Sequence, residues 1–87
     1  EALTLGVPSP NPSRGVVTLR YGLPETSQVR LAVYDALGRE AGVLVDGSQP
    51  VGLYETQWDA SALPAGVYLV RLEAGRETRL QRITVVR

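Results

Sequence analysis

The sequence predicts an all-β protein, a seven-stranded antiparallel β-sandwich of the immunoglobulin or fibronectin type. Turn-forming glycines, prolines, asparagines and aspartates recur at intervals of roughly ten residues. The segments between them alternate apolar with polar side chains, as half-buried strands do, and none has a convincing helical period. With 87 residues, the chain is expected to form one domain over residues 1–87. It opens on EALTLG, without an initiator methionine or a signal-peptide pattern, so we also expect a piece of a longer protein.

The first half of the chain supplies four of the predicted strands. The segments ALTLGV, VVTLRYGL and QVRLAVYD alternate, and the side chains expected to face the core are Leu3, Leu5, Val7, Val17, Leu19, Tyr21, Val29, Leu31 and Val33. The proline-rich segment PSPNPSRG, residues 8–15, is expected to be a loop or an irregular edge, because proline has no amide donor. DALG, residues 35–38, fits a type I turn in which Gly38 takes a positive φ. REAGVLVD then returns as the hairpin partner.

Three further strands fill the second half. The segments LYETQWD, GVYLVRLEA and TRLQRITVVR are expected to point inward Tyr54, Thr56, Trp58, Tyr68, Val70, Leu72, Ile83 and Val85. Before the second of these strands, Asp59 can accept a hydrogen bond from the Ser61 amide in an Asx turn. Leu80 is out of phase with the inward residues of the last strand, which predicts a bulge or a late strand start there.

The composition excludes several classes of function. The chain contains no Cys, no His and no Lys. It therefore lacks thiolate metal ligands and the usual general base, and Ser61 has no neighbouring base. We expect no catalytic residue, no metal and no cofactor, and hence no enzyme. The formal net charge is zero, which leaves no field to attract nucleic acid. No apolar run approaches the roughly 20 residues that cross a bilayer, so no membrane insertion is expected.

The stretch LPAGVYLVRL, residues 63–72, places a proline and a glycine directly before a strand. The spacing of Pro64, Gly66 and Tyr68 resembles the tyrosine corner of fibronectin-type sandwiches, in which a tyrosine hydroxyl bonds back to the backbone a few residues upstream. A chain that crosses between sheets leaves backbone groups unpaired, and a buried phenol can satisfy one of them. On this interpretation the three residues are scaffold.

Five motifs occur together in a recognisable order, namely PNPSRG, VRLAVYDALGRE, GLYETQWDAS, LPAGVYLVRLEAG and RLQRITVVR. Over the whole chain they resemble the C-terminal sorting domain of the type IX secretion system, type A, a relative of the immunoglobulin-like domain of flagellar hook-capping proteins. The resemblance implies a non-catalytic module fused behind a larger exported cargo, often a hydrolase. Secretion-machinery proteins of the outer membrane would recognise it, and the cargo would pass through the periplasm to the cell surface or the medium.

The resemblance also assigns a signature and a terminal segment to this chain. The family's Pro-x-Gly-x-Tyr signature falls on Pro64, Gly66 and Tyr68, and its downstream glycine falls on Gly75. Its basic terminal segment, which normally carries lysine, is here the arginine set Arg79, Arg82 and Arg87. These arginines are either a solvated strand face or a surface that a partner reads.

The loop motif and the aromatic residues leave two questions open. Asn11 and Pro12 form either an ordinary rigid loop or a recognition element. The alternative function is a carbohydrate-binding or cell-adhesion module of a glycoside hydrolase, which would need several exposed, coplanar rings. Four of the five aromatic residues are expected on inward faces, and only Tyr34 is out of phase with its strand, so the aromatic pattern favours the sorting module.

Overall fold

A computed structural model describes residues 2–87 and confirms the predicted all-β architecture. The seven strands are β1 (Thr4–Leu5), β2 (Val16–Leu23), β3 (Ser27–Tyr34), β4 (Glu40–Gln49), β5 (Gly52–Asp59), β6 (Gly66–Ala74) and β7 (Glu77–Val85). They form two antiparallel sheets with the strand orders β1-β2-β5 and β4-β3-β6-β7. Residues 2–87 contain no helix, and hence none with the length and hydropathy to cross a membrane.

The core lies between the inner faces of the two sheets. Its most completely buried large apolar side chains are Val17, Leu19, Leu31, Val33, Val70, Leu72, Ile83 and Val85. All eight were expected to face inward from the alternation of their strands. Burial of apolar surface contributes roughly 25 cal/mol per Å², so the alternation that predicts the strands also identifies the main stabilising contacts.

The prediction that Val7 faces the core is wrong. Strand β1 ends at Leu5, and Val7 is 75% exposed, whereas the next residue, Pro8, is buried. The bond from Gly6 N to Arg20 O is followed by the bonds between Ser9 and Thr18, so this edge advances three residues where β2 advances two, and the inward position shifts from Val7 to Pro8. The strict alternation therefore stops one residue before the proline-rich segment.

The expected bulge or late start at Leu80 is also wrong. The pairing of β6 with β7 runs without a shift from Gly66–Val85 to Ala74–Glu77. Leu80 lies opposite Arg71 on the outer face and is 54% exposed. The alternation of β7 points the Leu80 side chain to the outer face, and single exposed leucines are common on protein surfaces. The register shifts occur instead between β3 and β4.

The two turns expected from the sequence, the DALG turn and the Asx turn at Asp59, are confirmed. In the β3–β4 hairpin, Gly38 N donates to Asp35 O at 3.0 Å, and Gly38 has a φ of 84°. After β5, Ser61 N donates to the Asp59 Oδ1 at 2.9 Å. These bonds fix the two segments that border the site described below.

The proline-rich segment, residues 8–15, covers part of the outer edge of β7. The Asn11 side chain donates from Nδ2 to Arg82 O at 2.9 Å and accepts at Oδ1 from Thr84 N at 3.0 Å. Ser13 N then donates to Thr84 O at 2.8 Å, and Val86 N donates to Ser13 O at 2.9 Å. The segment thus takes the place of a neighbouring strand along the end of β7, which protects that sheet edge from other chains.

Replacing Asn11 with Ala should destabilise the domain by about 1 kcal/mol, since two solvent-accessible backbone groups of β7 lose a partner and regain only water. Chemical denaturation of both forms measures the change. Ser9→Ala is the matched control, because the Ser9 side chain makes no hydrogen bond with residues 2–87. An Asn11 variant as stable as the Ser9 variant would show that the side-chain amide does not hold the edge.

Candidate functional site

The Pro-x-Gly-x-Tyr signature forms the predicted tyrosine corner at the start of β6. The Tyr68 Oη donates to Pro64 O at 2.7 Å, and Tyr68 is only 5% exposed. Its ring meets the Trp58 ring edge to face, with the centroids 5.4 Å apart. Gly66, which lies between Pro64 and Tyr68 in the sequence, has a φ of 152°, at which an L side chain would be strained. The signature thus has the geometry of a tyrosine corner, and its role as scaffold stays a prediction.

A second corner with the same spacing lies at the start of β5, and the sequence analysis missed it. In PVGLY, residues 50–54, the Tyr54 Oη donates to Pro50 O at 2.6 Å, and Gly52 has a φ of 155°. The Tyr54 ring stacks on Tyr21 with a centroid distance of 5.2 Å. A search for a repeat of Pro-x-Gly-x-Tyr would have found this corner, because the three defining residues recur at the same spacing.

The two corners lie at opposite ends of the sandwich. Strand β5 begins where Gly52 pairs with Leu23, the last residue of β2, and ends where Asp59 pairs with Val16, the first residue of β2. The chain then crosses to the other sheet and begins β6. The start of β6 is therefore near the end of β5, far from the Pro50 corner along the 38 Å long axis.

The surroundings distinguish the two corners. Beside the Tyr68 corner is a cleft of about 430 Å³, which has residues 63–68 on one side and residues 35–37 and 39–41 of the β3–β4 hairpin on the other. Beside the Tyr54 corner the neighbouring residues come instead from β1 and β2. Two motifs that are distant in the sequence, DALGRE and LPAGVYLVRL, thus meet at one cleft.

The hairpin wall of the cleft is held by a charged network. The Asp35 Oδ1 accepts from Leu37 N and Arg39 N, both at 2.9 Å, and the Asp35 Oδ2 accepts from the Arg39 Nε at 2.8 Å. The hydrogen bond from the Arg39 amide is the main cause that lowers the pKa of the Asp35 carboxyl below its ordinary value. The Arg30 guanidinium bonds to Glu40, which raises the pKa of Arg30, and also donates to the Tyr34 Oη at 2.8 Å.

The three arginines of the basic terminal segment do not share one face. Arg79 pairs across the hairpin with Leu72 on the inner side and forms an ion pair with Glu77 at 2.9 Å. Arg82 lies opposite Leu69 on the outer face and has no ion-pair partner among residues 2–87. Arg87 lies beyond β7. Their assignment to a surface that a partner reads stays a prediction.

Arg87 and Gly75, which the sequence analysis singled out, both bond to the backbone of other segments of the domain. Arg87 donates to two backbone carbonyls, Arg14 O at 3.3 Å and Ala60 O at 3.0 Å. Gly75 begins the tight turn between β6 and β7 with a φ of 60°, and its amide donates to Gln28 O. Asn11 bonds to the edge of β7, and neither Asn11 nor the adjacent Pro12 is among the residues that line the cleft.

The aromatic residues offer a poor platform for sugar. Tyr21, Trp58 and Tyr68 are at most 5% exposed, and Tyr54 packs against the core cluster. The half-buried Tyr34 lies in the outer face of the four-stranded sheet, where Arg30 fixes its hydroxyl. Among residues 2–87 no three acidic side chains converge on a position that could hold a metal.

Comparison with known protein families yields a match over most of the chain. The family model described as "Secretion system C-terminal sorting domain" matches residues 9–86. These residues include the Asn11 loop, the β3–β4 hairpin, both corners and β7. No curated protein matches the chain.

Tyr68→Phe should lower the free energy of unfolding by roughly 1–3 kcal/mol, because it leaves Pro64 O without its partner in a partly buried position. Tyr54→Phe is the matched comparison. Its hydroxyl bond is exposed, so water can replace it and the loss should stay below about 1 kcal/mol. Denaturant unfolding of both variants decides the matter, and equal losses would mean that burial does not distinguish the two corners.

Asp35→Asn should lower the free energy of unfolding at neutral pH. The free energy of unfolding of this variant should also fall less steeply than that of wild type as the pH is lowered. A carboxyl whose pKa is lowered in the folded state contributes stability above its unfolded pKa and loses it as the pH falls through the folded pKa. The stability difference between wild type and Asp35→Asn should therefore shrink below about pH 4. The exposed Asp46, whose carboxylate makes no hydrogen bond with residues 2–87, provides the control Asp46→Asn. A pH-independent difference would contradict this role of the Asp35 charge.

Proposed function

Because the chain belongs to the family of secretion system C-terminal sorting domains, a sorting signal for type IX secretion, we propose that it acts by binding and without chemistry of its own. The cargo fused upstream is proposed to be a hydrolase, as the resemblance of the sequence implies. The module would fold in the periplasm, be recognised by secretion-machinery proteins of the outer membrane, and accompany the cargo to the cell surface or the medium.

The observation that carries the proposal is the meeting of two family motifs at the Tyr68 cleft. Tyr68 itself lines the cleft but is only 5% exposed, and its hydroxyl is bonded within the domain, so it offers a partner little surface. What the signature offers to a partner is the shape of the corner, namely the exposed backbone from Pro64 to Val67 that faces the β3–β4 hairpin across the cleft. We infer that the machinery reads this shape.

The second corner supports the importance of the cleft. If the local Pro-x-Gly-x-Tyr geometry were sufficient, the Tyr54 corner would be read equally well, since its hydrogen bond and its glycine φ are nearly the same. The hairpin wall, with the Asp35–Arg39 pair, is the feature that accompanies only the Tyr68 corner.

Among the terminal arginines, Arg82 is the best candidate for an additional contact. Arg79 is engaged with Glu77, and Arg87 with backbone carbonyls. The Arg82 side chain is exposed on the outer face of β7, and only its backbone is used, by the Asn11 side chain. A cation free of an ion pair can bond to an acidic or carbonyl-rich partner without first losing an internal bond.

Ala65→Trp should block export, because a large ring at the exposed position between Pro64 and Gly66 would fill the cleft. Val51→Trp is the matched control, since Val51 holds the same position in the other corner and is also exposed. A reporter fused ahead of the domain is expressed in a bacterium that has the secretion system, and the cell fractions are assayed. We expect the Ala65 variant in the periplasm and the Val51 variant at the surface or in the medium.

Thermal unfolding of both variants separates recognition from folding. An Ala65→Trp domain that is folded but retained supports reading at the cleft. If Ala65→Trp is exported as well as wild type, the cleft is not the recognition site. If both variants are retained although folded, the two corners are not distinguished in the way proposed.

A further inference from the structure

The outer face of the three-stranded sheet carries the most exposed leucine among residues 2–87. Leu53, in β5, is 91% exposed, and the neighbouring Val51 is 58% exposed. Together with Ala2, Pro24 and the buried Leu23 they line one continuous depression of about 490 Å³, to which Thr4, Gly22 and Gly52 also contribute. We call Ala2, Leu23, Pro24, Val51 and Leu53 the Leu53 patch. Single exposed leucines need no explanation, but two strongly exposed apolar side chains beside one depression offer another molecule a place to pack.

The residue opposite Leu53 is a glycine, which leaves space for the leucine side chain. Gly22 lies directly across from Leu53 in β2. A Cβ on Gly22 would come within 2.9 Å of the Thr4 Oγ1 and 3.1 Å of the Leu53 Cδ2, so a larger residue would displace the leucine. A second depression, of about 390 Å³, lies on the other side of Leu53, next to Tyr54. Leu53 is thus a knob between two hollows, a shape suited to insertion into a partner.

The patch lies where the chain enters the domain. Leu3 and Leu5 are buried, so β1 is fixed, and the residue before them, Ala2, lies in the same depression as Leu53. Each residue of an extended chain spans at most about 3.6 Å. A cargo joined to the N-terminal side of the domain by a short connection would therefore lie within reach of Leu53.

The depression beside Val51 has no charged side chain among its lining residues, and the two that line the second depression, Arg20 and Glu55, are paired with each other at 2.9 Å. This lining suits an apolar partner. The patch is also remote from the Tyr68 cleft, because the Pro50 corner borders it and that corner lies at the other end of the sandwich. A partner on the patch would leave the cleft accessible.

We propose that the Leu53 patch is the docking surface for the cargo domain fused upstream, which would present an apolar hollow to Leu53. Membership of the sorting family implies such a cargo. The proposal goes beyond the recognition function and is independent of where the machinery binds. Docking would hold the two domains in one orientation, shield the connection between them and direct the Tyr68 cleft away from the cargo.

The test uses the full-length protein with its natural cargo and the variant Leu53→Ser. Leu80→Ser is the control, since Leu80 is an exposed leucine of a strand on the other sheet. We expect protease to cut the connection before Ala2 about tenfold faster in Leu53→Ser than in wild type, because cleavage follows the population of the undocked form. Small-angle scattering should show a larger radius of gyration for Leu53→Ser alone. Leu80→Ser should match wild type in both measurements.

Three results would overturn the proposal. Unchanged cleavage and scattering for Leu53→Ser would show that the domains do not dock through the patch. Equal changes for both variants would show a general effect of removing a leucine. A loss of self-association in Leu53→Ser, measured by sedimentation, would assign the patch to a second copy of the chain. Export of Leu53→Ser is expected to be unchanged, so a failure of docking is distinguishable from a failure of the sorting function.

Discussion

The hydrogen bond from Tyr68 to Pro64 O determines how this sandwich closes. The chain must leave the three-stranded sheet after Asp59 and join the four-stranded sheet at Gly66. In that crossing Pro64 O has no strand partner, and a partly buried carbonyl left unpaired is costly. Tyr68 satisfies this carbonyl with its hydroxyl, and its ring packs against Trp58 in the core. The position of the corner in turn sets one wall of the cleft.

The same device occurs at the other crossing of this half of the chain. Strand β4 belongs to the four-stranded sheet and β5 to the three-stranded sheet, and the Pro50–Tyr54 corner lies between them. Pro-x-Gly-x-Tyr is thus a general means of turning the chain from one sheet to the other in this domain. A structural device that occurs twice cannot by itself be a unique address, which is why the elements around the corner matter for recognition.

The sequence was sufficient to predict the strands, the core and two turns, because these depend on local alternation and local hydrogen bonds. Its errors occurred where a local pattern meets a distant partner. Val7 continues an alternation that Pro8 interrupts, and Leu80 is exposed because its strand faces that way, with no bulge to correct it. The bonds from Asn11 to β7 span 71 and 73 residues, and no local pattern predicts them. The cleft likewise depends on how the sheet order places the β3–β4 hairpin beside the crossing from β5 to β6.

The same long-range bonds bear on when the domain can be recognised. Residues 8–15 hold the end of β7, Arg87 donates to Ala60 O, and β7 pairs with the strand that begins at the Tyr68 corner. The corner is therefore supported by both the first and the last segments of the domain. Contacts of such high sequence separation slow folding, because the entropy of closing a long loop must be paid before they form. If the machinery reads the cleft, it reads a surface that exists only after the whole domain has folded, so recognition of the shape would exclude truncated or unfolded chains without a separate proofreading step.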